Sequence, residues 1–178
     1  MHNTLRAAAA ALLVAATPLG PALAEQGASV EHASAPHPAG EARVGDIAIE
    51  AAWTRQSPPG ARVGGGYARI TNRGTVPDRL VGGSVPFAER FEVHEMNVTD
   101  GVMTMRELTD GLEIGPGQTV EMKPGGHHLM FMGLTEPPGE GMTVPVTLRF
   151  ERAGEVTVVM PVAAIGATSL EGLGEGAQ

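Results

Sequence analysis

Hydrophobic and polar residues alternate in short runs through the middle of the chain, which is the period of a half-buried β-strand. The runs are separated by residue groups typical of turns, such as Pro58-Pro59-Gly60 and Asp100-Gly101. The pattern predicts an all-β domain, a Greek-key sandwich or barrel. The predicted strands are Ile47–Thr54, Gly66–Asn72, Arg79–Val85, Arg90–Met96, Val102–Leu108, Thr119–Met122, His127–Met132, Thr143–Glu151 and Glu155–Pro161.

The N-terminal segment has the order of an export signal. Arg6 lies in a short basic start, an apolar run covers residues 7–16, and Ala22-Leu23-Ala24 is a small-x-small cleavage site. The run is shorter than the roughly 20 residues that span a bilayer. We therefore expect residues 1–24 to be a signal peptide cleaved near Ala24, and the mature chain to be exported.

Two polar segments flank the β region. Both are rich in small residues and glutamate and carry few large apolar side chains, a composition that cannot form a packed core. We expect a disordered leader over residues 25–43, the β domain over 44–165 and a flexible tail over 166–178.

Composition excludes several classes of function. The formal net charge is −8, whereas binding to nucleic acid phosphates needs an excess of Lys and Arg, so no nucleic acid partner is expected. The sequence has no cysteine, which excludes a thiolate metal site, a redox dithiol and a membrane anchor acylated on cysteine. Ser57 and Ser84 have no histidine nearby in the sequence, so the chain is not expected to be an enzyme.

Asp100-Gly101 predicts a β-hairpin in a particular register. With this turn Met96 faces Met105, His94 faces Glu107, and Met105 lies diagonally beside His94 on the same face. Diagonal neighbours are about 7–8 Å apart, close enough for side chains of this length to reach one ion. Met103 shares the face, so Met96 and Met103 remain alternatives to Met105.

A second strand repeats this arrangement after the glycine pair at 125–126. Leu129 and Phe131 share one face and are predicted to lie in the core, while His128, Met130 and Met132 share the other. A single Met or His is usually explained by packing or by solvent exposure. Two His–Met sets on faces opposite the core favour a metal site.

Imidazole and thioether together favour Cu(I), because thioethers are soft ligands that select a soft ion. Zinc prefers Cys, His or carboxylate, and calcium and magnesium prefer oxygen. His32 and His37 lie in the leader, where a polar linker is favoured over a weak Cu(II) site.

The chain resembles the periplasmic copper chaperone family called PCuAC over about residues 45–163. That family's motif is His, ten residues, Met, twenty-one residues, then His-x-Met. Here ten residues separate His94 from Met105, and twenty-two separate Met105 from His128. A count of twenty-one would select His127, but Leu129 then occupies the Met position. The resemblance rests on AAWTRQSPPGARVGGGYARITN, VHEMNVTDGVMTM, GLEIGPGQTVEMKPGGHHLMFMGL and VPVTLRFERAG.

The resemblance implies a cupredoxin-like fold and a Cu(I) site formed by His94, Met105, His128 and Met130. It also implies delivery of copper to a respiratory oxidase copper domain, or to a thiol copper chaperone that serves it, and we expect a monomer. Two other functions remain open: a copper buffer or resistance protein with no dedicated acceptor, and a β-sandwich interaction module that binds no metal.

Overall fold

The structure, a computed structural model, describes residues 37–170. The predicted signal peptide, most of the predicted leader and the end of the predicted tail lie outside these residues. No helix in residues 37–170 is long and apolar enough to cross a membrane. The described strands are β1 (Ala42–Val44), β2 (Ile47–Arg55), β3 (Val63–Asn72), β4 (Asp78–Ser84), β5 (Ala88–Thr99), β6 (Val102–Glu107), β7 (Leu112–Ile114), β8 (Thr119–Met122), β9 (His128–Leu134), β10 (Thr143–Phe150) and β11 (Gly154–Ala163).

The strands form one hydrogen-bonded path in the order β6-β5-β9-β3-β2-β11-β10-β4-β7, with β1 paired to β2 and β8 paired to β3. The pairing of β2 with β11 is parallel, and the pairings of β5 with β6 and β9 are antiparallel. One buried cluster takes side chains from both halves of the path, among them Ile70 and Phe131 from the first half and Leu80 and Val158 from the second. The path therefore folds into two layers around a shared core, and the predicted all-β sandwich is confirmed.

All nine predicted strands are present, but the short strands β1 and β7 were not predicted. β1 begins inside the segment predicted to be a disordered leader. Just before it, the Gly40 N–H donates to the Val159 carbonyl at 2.7 Å, and the Gly40 carbonyl accepts from the Ala52 N–H at 2.9 Å. Ala42 is buried. Backbone bonds and a buried methyl group thus order the chain before residue 44, where no amphipathic run was present to signal it.

The start of the predicted tail also contacts the sheet. Ala167 and Leu170 pack against a small buried cluster that contains Trp53 and Tyr67, whose ring centroids are 4.5 Å apart. Arg55 Nη1 donates to the Ala167 carbonyl at 3.2 Å, and Arg55 Nη2 donates to the Tyr67 hydroxyl at 2.9 Å. These contacts fix residues 167–170 on the outer face of β2 and β3.

A glycine-rich stretch lets β9 lie close beside β3. Gly64, Gly65 and Gly66 pair with Phe131, Met130 and Leu129. A Cβ added at Gly66 would lie 2.8 Å from the Phe131 ring, closer than atoms can approach without a shift. The absence of side chains at these positions therefore allows the close packing that positions β9 beside β3.

Candidate metal centre

The β5–β6 hairpin has the register that its turn predicts. Asp100 and Gly101 both have positive φ, 53° and 76°, as a type I′ turn requires at its two central residues. Met96 pairs with Met105 and His94 pairs with Glu107. The turn residues alone therefore place one imidazole and two thioethers on the same face of the hairpin.

Strand β9 lies on the other side of β5 and brings in the second His–Met set. His94 pairs with His128, and Glu92 pairs with Met130. The two imidazole ring centroids are 5.8 Å apart. Because the chain between β5 and β9 contains three other strands, this pairing could not be inferred from local turn signals.

Three of the four predicted ligands line one open pocket of about 490 Å³: Met105, His128 and Met130. Met96 lines it as well. The fourth predicted ligand, His94, is not in the lining but lies directly beside His128, with 5.8 Å between the ring centroids. The structure therefore brings together all four predicted site residues, from three strands that are adjacent in the sheet.

The two alternatives to Met105 differ in position. Met96 lies opposite Met105 and lines the pocket with it. Met103 pairs with Val98 farther along the hairpin, is exposed, and lies outside the pocket lining. Met96 is therefore the closer alternative of the two.

His128 is more buried than its position opposite the core residues predicts. Leu129 and Phe131 are fully buried, as predicted, but His128 is also only 6% exposed. Its ring turns back onto the preceding turn, where Nδ1 lies 2.9 Å from the Gly126 carbonyl oxygen. Truncation of His128 is therefore expected to lower stability as well as to remove an imidazole.

Glu92 is a site residue that the sequence analysis did not identify. Its side chain is only 12% exposed, and Oε2 lies 2.9 Å from His94 Nε2. Its other carboxylate oxygen lies 3.1 Å from Arg90 Nη1. The signal that could have found it is its spacing: residue 92 is two positions before His94 and points to the same face.

The side chain of His127 is directed toward Glu95 and not toward the predicted ligands. It precedes β9, and its Nε2 is 3.6 Å from Oε1 of Glu95. Successive side chains of β5 point to opposite faces of the sheet, so Glu95 lies on the opposite face from His94 and Met96. This placement agrees with the choice of His128 in the motif.

The donor atoms fit a soft monovalent ion. Among residues 37–170, no group of three or more His, Cys, Asp or Glu side chains could hold a metal ion. A metal on this face would therefore need the thioethers as well as the imidazoles. In addition, His94 Nδ1 is buried and has no hydrogen-bond partner within the described residues, as expected of a nitrogen reserved for a ligand.

Comparison with known proteins identifies the family. The family model described as "Putative lipoprotein LpqE-like" matches residues 47–162. The chain belongs to the LpqE-like family. A protein of Leifsonia xyli subsp. xyli, named "Putative lipoprotein Lxx21020", is 33% identical over 116 residues, which cover 65% of this chain and 69% of that protein.

Solved structures similar to this LpqE-like chain are PCuAC domains. The copper-bound PCuAC domain from PmoF2 has a TM-score of 0.60 and 29% identity, covering 70% of this chain and 97% of that domain. The Cu(I) form of DR1885 from Deinococcus radiodurans has a TM-score of 0.54 and 28% identity, covering 69% and 80%. The resemblance to PCuAC proteins, and with it the cupredoxin-like fold, is confirmed.

The burial of His128 has a consequence for pH. Burial lowers the pKa of His128 below its ordinary value; the Gly126 carbonyl opposes this shift, and the neighbouring His94 and His127 add to it. The folded state therefore binds this proton less tightly than the unfolded state. Because of this difference, neutral His128 stabilises the folded state fully above about pH 6.5, and this stabilisation is lost as the pH falls below that value.

We expect the His128 ring in the metal-free protein to titrate below the ordinary histidine range in an NMR pH titration. The urea midpoint should fall as the pH is lowered from about 6.5 through the folded-state pKa. The His128→Asn variant supplies the control for the urea series, because it has no titrating ring at this position. A His128 ring that titrates at or above the ordinary value would contradict the prediction.

Proposed function

We propose that this LpqE-like chain is a copper carrier that binds one Cu(I) ion through His94, Met105, His128 and Met130 and passes it to an acceptor protein. The observation that supports this most strongly is that Met105, His128 and Met130 line one pocket, and that the His94 ring lies beside the His128 ring. They come from positions spread over 37 residues of sequence, and packing alone does not require this set of side chains at one place.

Cu(I) suits this donor set better than other biological metals. Two thioethers and two imidazoles form a neutral, soft set of ligands, and Cu(I) accepts three or four such ligands without a strict geometry. The copper-bound PmoF2 domain and the Cu(I) form of DR1885 are similar structures, and both hold copper. We therefore extend Cu(I) binding to this chain.

A carrier must release its ion without unfolding, and the pocket provides for this. Met105 is 50% exposed and lies in β6, the edge strand of the sheet. An acceptor can therefore approach from the β6 side and replace the thioether of Met105 first. Thioethers are weak ligands, so stepwise exchange toward Cys or His ligands is favourable. We propose a respiratory oxidase copper domain, or a thiol chaperone serving it, as the acceptor.

We further propose that the chain acts outside the cytoplasm, in the periplasm, after cleavage of residues 1–24. The description of the family and the name of the Leifsonia protein both contain the word lipoprotein, which denotes an exported protein. The sequence itself has no cysteine. Export is therefore the property that we carry over to this chain, and attachment through an acylated cysteine is not.

The carrier function predicts rapid transfer of Cu(I). When the Cu(I)-loaded protein is mixed with an apo oxidase copper domain that binds Cu(I) more tightly, we expect copper to appear on the acceptor within minutes and without denaturant. NMR spectra of both proteins would follow the ion. A small-molecule Cu(I) chelator serves as the control, because it shows whether the bound ion is accessible at all.

The same experiment separates a carrier from a copper buffer. If the chelator removes the ion while the tighter acceptor protein does not, the protein releases copper only to small ligands and a buffering function is favoured. If the purified chain takes up no Cu(I), both copper functions are wrong, and the domain is a β-sandwich whose Met and His residues are incidental.

A further inference from the structure

The two imidazoles at the pocket use opposite ring nitrogens for their hydrogen bonds to the protein. In His94 it is Nε2 that lies 2.9 Å from the Glu92 carboxylate. In His128 it is Nδ1 that lies 2.9 Å from the Gly126 carbonyl oxygen. Each ring is therefore held by one nitrogen, and the nitrogen that remains differs between the two.

The partners determine which nitrogen carries the proton. An ionised carboxylate and a backbone carbonyl can only accept hydrogen bonds, so the ring nitrogen must be the donor in both pairs. A neutral His94 then has its proton on Nε2 and a free lone pair on Nδ1. A neutral His128 has its proton on Nδ1 and a free lone pair on Nε2. Only the nitrogen with the lone pair can bind a metal.

The surroundings of His94 agree with this assignment. Its side chain is only 13% exposed, and Nδ1 is buried without a hydrogen-bond partner among the described residues. A buried polar atom without a partner is costly unless something else satisfies it. A copper ion bound at Nδ1 would satisfy it, whereas Nε2 is already used.

Glu92 is well placed to fix this tautomer. Its two carboxylate oxygens have separate partners, Arg90 Nη1 at 3.1 Å and His94 Nε2 at 2.9 Å. Glu92 also pairs directly with Met130 across the sheet, so its backbone position is set by the same strands that carry the ligands. An orienting carboxylate of this kind fixes the tautomer and orientation of a ligating imidazole and increases its basicity.

We propose that Cu(I) binds to Nδ1 of His94 and to Nε2 of His128, with Glu92 as a positioning residue that keeps the His94 proton on Nε2. This inference rests on the proposed Cu(I) function of the same pocket. It assigns a role to a carboxylate that makes no contact with the ion, and it predicts that the two imidazoles bind through different nitrogens.

Nitrogen-15 NMR of the two rings tests the assignment directly. Before copper is added, we expect His94 to be protonated at Nε2 and His128 at Nδ1. Adding Cu(I) should shift the Nδ1 resonance of His94 and the Nε2 resonance of His128 most strongly. Protonation of His94 at Nδ1 in the metal-free protein, or a copper-induced shift centred on its Nε2, would overturn the proposal.

Two substitutions of Glu92 test its positioning role. Glu92→Leu should convert His94 to a mixture of tautomers and lower Cu(I) affinity by about 10–100-fold, the usual effect of losing an outer partner of a ligand. Glu92→Gln should recover part of the affinity, because its amide oxygen still accepts from Nε2. Glu95→Gln is the matched control, since Glu95 lies on the opposite face and bonds Arg106, and its affinity should not change.

The outcomes separate this inference from the function on which it rests. If the metal-free tautomers are as assigned but Cu(I) shifts no ring nitrogen resonance, the proposed copper function is wrong, and so is the assignment of the binding nitrogens. If Cu(I) binds through both imidazoles but Glu92→Leu leaves the tautomer and the affinity unchanged, the copper function stands and the role of Glu92 is wrong. If Glu92→Leu does not fold, the wild-type spectra still test the two tautomers, and Glu92→Gln still tests the role of Glu92.

Discussion

Replacing His128 and Met130 together with alanine is expected to lower Cu(I) affinity by more than 100-fold. The double change removes one imidazole and one thioether of the proposed four ligands. Loss of a residue that only hydrogen-bonds to a ligand already lowers metal affinity by about 10–100-fold, so loss of two direct ligands must lower it further. Met132 is the remaining His or Met of β9; it pairs with Arg90, at the other end of the strand from the His94–His128 pair, and lies outside the pocket lining.

Competition with a Cu(I) chelator of known affinity measures this loss, and circular dichroism shows whether the sheet is retained. Because His128 is buried, some loss of stability is expected as well, and Met130→Ala alone gives a milder variant in which the fold is kept. The paired control is Met103→Ala with Met132→Ala, which also removes methionine side chains but none that lines the pocket. A double variant that binds Cu(I) like the wild type would place the site elsewhere.

Local signals in the sequence predicted the parts of the site that a single turn determines. The register of the hairpin follows from Asp100 and Gly101, since both must adopt positive φ and few other residue pairs do so readily. The inward faces of Leu129 and Phe131 follow from the alternation of side chains along β9. Each of these inferences spans fewer than about fifteen residues.

The pairing of β5 with β9 depends on the whole topology and was not predictable in this way. His94 meets His128 only because β9 inserts between β5 and β3 in the sheet. The motif resemblance supplied the connection that local patterns lacked. It named the ligand residues but gave no information about Glu92, whose burial depends on the neighbouring strand and on Arg90.

Very short strands were missed for a different reason. β1 and β7 have three residues each, too few to show an alternating pattern. Ala167 and Leu170 were assigned to a flexible tail by composition, yet they find a partner in the Trp53 and Tyr67 cluster. The composition of a segment indicates whether it can form a core by itself. It does not indicate whether a few of its side chains can pack against a core formed by the rest of the chain.

One face of strand β9 packs into the core, and the other face lines the pocket. A change on the core face should therefore have a large effect on stability. Phe131 lies in the middle of this strand and is fully buried. Its ring packs against Phe87 at 5.5 Å and Phe91 at 5.8 Å between centroids. The glycines of β3 leave the space that this ring fills.

We therefore expect Phe131→Ala to lower the free energy of unfolding by about 3–5 kcal/mol, the usual cost of a Phe-to-Ala cavity in a core. Urea denaturation of the metal-free protein measures it. Met132→Ala, the next residue on the half-buried opposite face, should cost clearly less, because less of its side chain is enclosed. Saturating Cu(I) should restore part of the stability of Phe131→Ala, by about 2.7 kcal/mol at a free ion concentration 100 times the Kd. Equal losses in the two variants would mean that β9 does not divide its faces between core and pocket.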